Sequence, residues 1–207
     1  MLTRPAAGVN RVFLNGSSDK DELDASRYSG PVTLQGRGGK DELEGGSGDD
    51  LLFGGDGDDE IEGNAGNDVL VGGDGKDVLN GGAGDDVLIG GRGKDDLFGS
   101  NGSDLLIGAR TAFDTDAVAL SAVLAEWSSP RSYQNRIANL RGTGSGARAN
   151  GNVFLKRSGP DATVFGDSVS DKLTGGSGLD WFFAHLTGNR KDKIHDLDNN
   201  ELLEALL

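Results

Sequence analysis

The sequence predicts an all-β solenoid, a right-handed parallel roll with a small helical insertion, and three features of the residue order predict it. A nine-residue unit runs without a break from Gly36 to Ile107, a period short enough to build stacked coils. Each of its eight copies puts glycine at the first and fourth places, aspartate at the sixth and leucine or isoleucine at the eighth. The chain holds 36 glycines, and within the array they keep this register, which separates a series of built turns from a low-complexity linker.

The copies read GRGGKDELE, GGSGDDLLF, GGDGDDEIE, GNAGNDVLV, GGDGKDVLN, GGAGDDVLI, GGRGKDDLF and GSNGSDLLI. Glycine accepts a positive φ without a Cβ clash, so the G-G-x-G-x-D part turns sharply. The three residues that follow alternate inward and outward as a short strand. Two copies then make one coil of turn, strand, turn, strand, and coils stack at about 4.8 Å. Residues 18 apart become neighbours. One edge of the roll carries Asp41, Asp59, Asp77 and Asp95, and the other Asp50, Asp68, Asp86 and Asp104. Each edge is a ladder of negative charge. Like charges at such spacing repel by roughly 1 kcal/mol in bulk water and about 4 kcal/mol at the effective dielectric near a protein surface, so the ladders oppose folding unless cations intervene.

The eighth-place residues Leu43, Leu52, Ile61, Leu70, Leu79, Leu88, Leu97 and Leu106 fill a thin core. Their outward neighbours sort into unlike faces. One shows Glu42, Glu44, Glu60, Glu62, Val78, Asn80, Asp96 and Phe98; the other shows Leu51, Phe53, Val69, Val71, Val87, Ile89, Leu105 and Ile107. A contiguous apolar stripe of that length is expected to be covered. The cover is expected from the next segment, where Asp114 or Thr115 caps a helix to about Trp127. Ala117, Leu120, Val123, Leu124 and Trp127 lie on one side of it, and a second helix follows through Tyr133, Ile137 and Leu140. Packing of the stripe against a second chain, or against a cell surface, is the alternative.

Five regions follow: a degenerate N-terminal cap over 1–35, the roll over 36–108, a helical insertion and strand-rich linker over 109–165, resumed repeats over 166–183 and a C-terminal cap over 184–207. In the first region GSSDKDELD, Gly16 to Asp24, is a relic of the repeat, with Asp21 a weak ligand candidate. In the fourth, GDSVSDKLT and GGSGLDWFF place Asp171 and Asp180 at the sixth position, beyond Asp95 and Asp104 if the roll resumes. Val169 stands where the fourth-place glycine belongs, which weakens the turn at Asp171.

Composition excludes several function classes. Twenty lysines and arginines against 34 aspartates and glutamates leave a formal charge of −14, contrary to nucleic-acid binding and favourable to cations. There is no cysteine, so disulfides and thiolate metal sites are excluded, and any metal must be a hard cation held by oxygen. No apolar run reaches the roughly 18 residues of a membrane span, and MLTRPAAGVNRVFLN has no secretory-signal core. GTGSG, Gly142 to Gly146, lacks the lysine and hydroxyl of a phosphate loop. Asp196, Asp198 and Asn200 imitate the start of an EF-hand loop, but Glu201 and Leu207 break it, and an acidic helix start is expected there instead.

The general form G-G-x-G-x-D-x-U-x, with U a large apolar residue, resembles the RTX, or hemolysin-type calcium-binding, repeat family. The resemblance implies Ca²⁺ as the ion and Asp41, Asp50, Asp59, Asp68, Asp77, Asp86, Asp95, Asp104, Asp171 and Asp180 as its carboxylate ligands. Three gaps per edge within the array give about six ions, more with the flanking repeats. It further implies a secreted or surface protein, exported by type I machinery that reads an uncleaved C-terminal segment, here ending ELLEALL. Catalysis is not expected. His185 and His195 form no H-E-x-x-H pair, and no serine sits in G-x-S-x-G, so the protease and lipase chemistries that accompany such repeats lack their residues. The chain then reads as a stand-alone calcium-binding module or as the C-terminal part of a larger toxin, adhesin or hydrolase.

Overall fold

The computed structural model describes residues 11–145, 147–167, 169–187 and 191–206. Residues 1–10 of the N-terminal cap, Gly146 of the GTGSG loop, Ser168 of the first resumed repeat and Leu207 lie outside the described residues.

The chain opens with β1 (Val12–Asn15), β2 (Glu22–Asp24), β3 (Val32–Gly38), β4 (Glu42–Glu44), β5 (Leu51–Asp56) and β6 (Glu60–Glu62). It continues through β7 (Val69–Gly75), β8 (Val78–Ala83), β9 (Val87–Gly93), β10 (Asp96–Asn101) and β11 (Leu105–Ile107). The insertion holds β12 (Arg110–Thr111), α1 (Ala117–Trp127), α2 (Tyr133–Leu140) and β13 (Val164–Phe165). The last part holds β14 (Lys172–Ser177), β15 (Trp181–His185), β16 (Lys193–Ile194) and β17 (Leu202–Leu206).

These strands form a parallel β-roll. One sheet has eight strands in the order β1-β3-β5-β7-β9-β11-β15-β17, and the facing sheet has seven, β16-β14-β10-β8-β6-β4-β2. Every pairing within both sheets is parallel, and in the array each residue stands beside its counterpart 18 positions on, as Leu52 does beside Leu70 and Ile61 beside Leu79. The eighth-place side chains meet between the sheets in one buried cluster with Leu34, Leu173 and Phe182. Each fully buried aliphatic side chain there contributes roughly 1.5–3 kcal/mol.

The roll continues across the insertion in register. Asp96 and Leu97 pair with Lys172 and Leu173, and Leu105 to Ile107 pair with Trp181 to Phe183. An antiparallel two-strand neck, β12 with β13, lets the chain leave and return. The helices lie on the apolar face, where Leu120, Val123, Leu124, Trp127, Tyr133, Ile137 and Leu140 join Val69, Val71, Val87, Ile89, Leu105 and Ile107 in a second buried cluster. Trp181 and Phe183 extend it. Helix α1 is capped by Asp116, not by Asp114 or Thr115 as expected: Asp116 Oδ1 accepts from the N–H groups of Val118 and Ala119. Asp114 is engaged elsewhere, accepting from both the N–H and the hydroxyl of Thr111.

At the C-terminal end, β16 and β17 add one strand to each sheet. The expected helix start at Asp196 is therefore a turn and strand. Asp196 accepts from the N–H groups of Gly175 and Gly176, and Asp198 N–H donates to Glu201 Oε2. Among the described residues no helix is long and apolar enough to cross a membrane.

Candidate metal centre

The sixth-place aspartates occupy the corners of the roll, where each turn passes into a strand. Asp41, Asp50, Asp59, Asp68, Asp77, Asp86, Asp95 and Asp104 are all buried, at no more than 2% exposure, and Asp171 and Asp180 are equally buried. Burying a carboxylate is costly unless it is paired or hydrogen-bonded, so its partners decide what it is for.

One oxygen of each is used in a relay along the edge. The N–H of Asp41 donates to Asp59 Oδ1 (2.8 Å), that of Asp59 to Asp77 Oδ1 (2.8 Å), and that of Asp77 to Asp95 Oδ1 (2.9 Å). Asp95 N–H then donates to Asp171 Oδ1 (2.9 Å), across the insertion. On the other edge the relay runs from Asp50 to Asp68, Asp86, Asp104 and Asp180 at 2.7–2.9 Å. The structure thus brings all ten sequence-predicted aspartates into two continuous ladders.

The second oxygen is different. Oδ2 of Asp41, Asp59, Asp68, Asp77, Asp86, Asp95, Asp104 and Asp180 is buried with no hydrogen-bond partner. Eight unpartnered anionic oxygens in one small protein are far outside ordinary practice, where buried polar atoms are satisfied. Their surroundings explain the invariant first-place glycine. A Cβ on Gly63 would lie 2.5 Å from Asp68 Oδ2 and 2.5 Å from the carbonyl oxygen of Gly81, in the next coil. Carboxylate and carbonyl oxygens therefore share a cramped space, acceptor facing acceptor. The first-place glycines do not have positive φ; they are required by contact, whereas the second and fourth places, Gly46 and Gly48 excepted, take positive φ. Where the second place is not glycine it is forced there anyway, with φ of 80° at Arg37, 72° at Asn64 and 81° at Ser100.

Electrostatics record the same strain. Burial raises the carboxyl pKa to about 9 at Asp68 and Asp104 and to about 8 at Asp77 and Asp171. It reaches about 7 at Asp86, Asp95 and Asp180 and about 6 at Asp59, and Asp50 is raised as well. In each of the eight with a stated value, the relay N–H opposes the rise and neighbouring carboxylates add to it. Without an ion, Asp68, Asp77, Asp104 and Asp171 favour the protonated form at neutral pH.

A hard divalent cation fits this donor set: the available ligands are carboxylate and backbone carbonyl oxygens, and the chain has no cysteine. The side chains alone do not complete a site. Among the described residues no group of three or more histidine, aspartate or glutamate side chains converges as a metal-holding cluster, so each gap between coils must draw on backbone carbonyls as well.

One rung escaped the sequence, Asp192, and one weak candidate, Asp21, takes its place in the relay. Asp192 Oδ1 accepts from Asp171 N–H at 2.9 Å, which makes Asp192 the next rung of its ladder, and Asp41 Oδ1 accepts from Asp21 N–H at 2.8 Å, which makes Asp21 the first. The signal for Asp192 was present: Asp192-Lys193-Ile194 repeats Asp171-Lys172-Leu173, but 21 residues on. The turn at Asp171 is also composed differently from the sequence frame. Gly108 is the glycine whose Cβ would meet Asp171 Oδ2, so the insertion is spliced into a single turn between its first and sixth places.

Comparison with known families agrees with the repeat itself. The family model described as the RTX calcium-binding nonapeptide repeat, in four copies, matches residues 35–70 and 71–106. No curated protein and no solved structure matches the chain.

Proposed function

We propose, from the premise that residues 35–106 are RTX calcium-binding nonapeptide repeats, that the whole roll is a non-catalytic module whose folding is driven by calcium at its two edges. The observation that carries this reading is the set of eight buried Oδ2 atoms without a partner. Calcium, when bound, supplies the positive charge that those oxygens lack. Asp41, Asp59, Asp68, Asp77, Asp86, Asp95, Asp104 and Asp180 would hold it with their open oxygens, joined by Asp171 at the spliced turn and by carbonyls such as that of Gly81. The open oxygens form two rows of four, whose gaps give about six ions, and the gap between Asp95 and Asp171 gives about one more.

A chain with these ladders folds poorly in calcium-poor cytosol and readily outside, where calcium is near millimolar. Any ion that binds only the folded form stabilises it by mass action. That behaviour suits a secreted or surface protein exported unfolded, and type I machinery that reads the C-terminal segment is the route we propose. Folding then ties the same segment down. Tyr133 hydroxyl accepts from Leu202 N–H at 3.0 Å, and Arg141 and Arg157 both pair with Glu204. Equilibrium dialysis with calcium tests the reading: about six to seven ions per chain, bound with a midpoint of roughly 10⁻⁴ to 10⁻³ M, are expected, and no uptake would refute it.

A further inference from the structure

We infer that the ladders are closed by capping carboxylates, Asp50 on one edge and Asp192 on the other, that hold the chain's own N–H groups where interior rungs hold ions. This rests on the reading of the open oxygens as ion ligands. Interior rungs spend one oxygen on the relay and leave the other unpartnered. Asp192 leaves none: Oδ1 accepts from Asp171 N–H at 2.9 Å and Oδ2 from His185 N–H at 2.5 Å, while its own N–H returns to His185 O at 2.8 Å. Asp50 is satisfied likewise, Oδ1 by Val32 N–H at 2.7 Å and Oδ2 by Gly46 N–H at 2.7 Å.

The cause at Asp50 lies in the segment beneath its turn. A Cβ on Gly46 would strike the Tyr28 carbonyl, and one on Gly48 would lie 2.5 Å from Gly30 C. Packed against this backbone, neither glycine takes the positive φ of its counterparts, and the Gly46 N–H turns in to the carboxylate. Asp192 reaches its place through the pairing of Lys193 with Lys172 and Ile194 with Leu173, which sets it beside Asp171 although no nonapeptide surrounds it. A carboxylate that accepts an N–H bond on each oxygen has part of its charge met by fixed dipoles and leaves neither oxygen without a partner. Each ladder therefore has one end, Asp50 or Asp192, at which both carboxylate oxygens are partnered.

Bound calcium per chain, measured at saturation for the wild type and for Asp50→Asn, Asp192→Asn and Asp59→Asn, tests the assignment. The two cap variants should keep the wild-type ion number while needing more calcium to fold, and Asp59→Asn should lose at least one ion. An ion lost from either cap variant overturns the inference. A full complement in Asp59→Asn removes the ligand reading on which it stands. Should a cap variant fail to fold, hydrogen exchange of the calcium-saturated wild type decides. The Gly46 and His185 amides are expected to be protected, and exchange at free-peptide rates would contradict their capping role.

Discussion

Carboxylates are stacked in two parts of this molecule, with opposite consequences. Along the edges the sixth-place aspartates are buried. On the outer face of the seven-stranded sheet, Glu22, Glu42 and Glu60 stand in one register column and Asp24, Glu44 and Glu62 in another, all exposed or half-exposed. Both arrays repeat at the strand spacing of about 4.8 Å. Water makes the difference: neighbouring charges repel by roughly 1 kcal/mol when solvated and several times that at lower dielectric. On this face the Glu44 carboxyl is raised in pKa, by partial burial and then by Asp24, Glu62 and Glu42. Density of negative charge is common to both arrays; burial together with an unpartnered oxygen sets the edges apart.

The largest effect that sharpens this contrast is that of pH on the calcium-free chain. Eight edge carboxyls, those of Asp59, Asp68, Asp77, Asp86, Asp95, Asp104, Asp171 and Asp180, have pKa values of about 6 to 9 in the roll, above the ordinary 3.8. The folded form thus binds more protons than the unfolded one across that interval, and its stability falls as pH rises. It is greatest below about pH 4 and is lost progressively towards pH 9. Circular dichroism in chelator should show more strand at pH 4.5 than at pH 8, and the reverse order would mean that burial does not govern the ladders.

A carboxylate placed on the covered face, with neither ion nor N–H to meet it, comes next. Leu120 is 1% exposed against the apolar stripe, so Leu120→Asp should cost about 4 kcal/mol. Unchanged calcium-dependent stability, with unchanged mass in solution, would contradict the burial of the stripe under the insertion. Asp77→Ala should follow, raising the calcium midpoint through loss of a site worth about 2.7 kcal/mol at a hundredfold excess over its dissociation constant. A midpoint equal to that of the wild type would remove Asp77 from the ligand set. Smallest is Glu60→Gln, which relieves repulsion on the exposed face. It should lower the midpoint by no more than about 0.5 kcal/mol at low salt and by nothing measurable at high salt, as paired titrations would show. An effect as large as that of Asp77→Ala would erase the distinction between edge and face.

Much of this was legible because the period carries it. Once Gly36 to Ile107 is read in nines, the inward leucines, the two aspartate ladders and the unlike faces follow from alternation alone. The helices over the apolar stripe followed from their own spacing. What stayed hidden depends on contacts outside the period. Asp192 has no glycine frame and sits 21 residues from Asp171, and Gly108 serves Asp171 from the far side of the insertion. Asp50 looks like every other sixth-place aspartate until Tyr28 and Gly30 are seen beneath its turn. The first-place glycine is explained by an oxygen in a neighbouring coil, not by its own dihedral angles.

The most direct test of calcium as the agent that folds this roll is far-ultraviolet circular dichroism of the purified chain at pH 7.5, first in excess EGTA and then through a calcium titration. A largely disordered spectrum in chelator, converting cooperatively to strand at roughly 10⁻⁴ to 10⁻³ M calcium, is the predicted result. A full strand spectrum in EGTA that calcium leaves unchanged would contradict it.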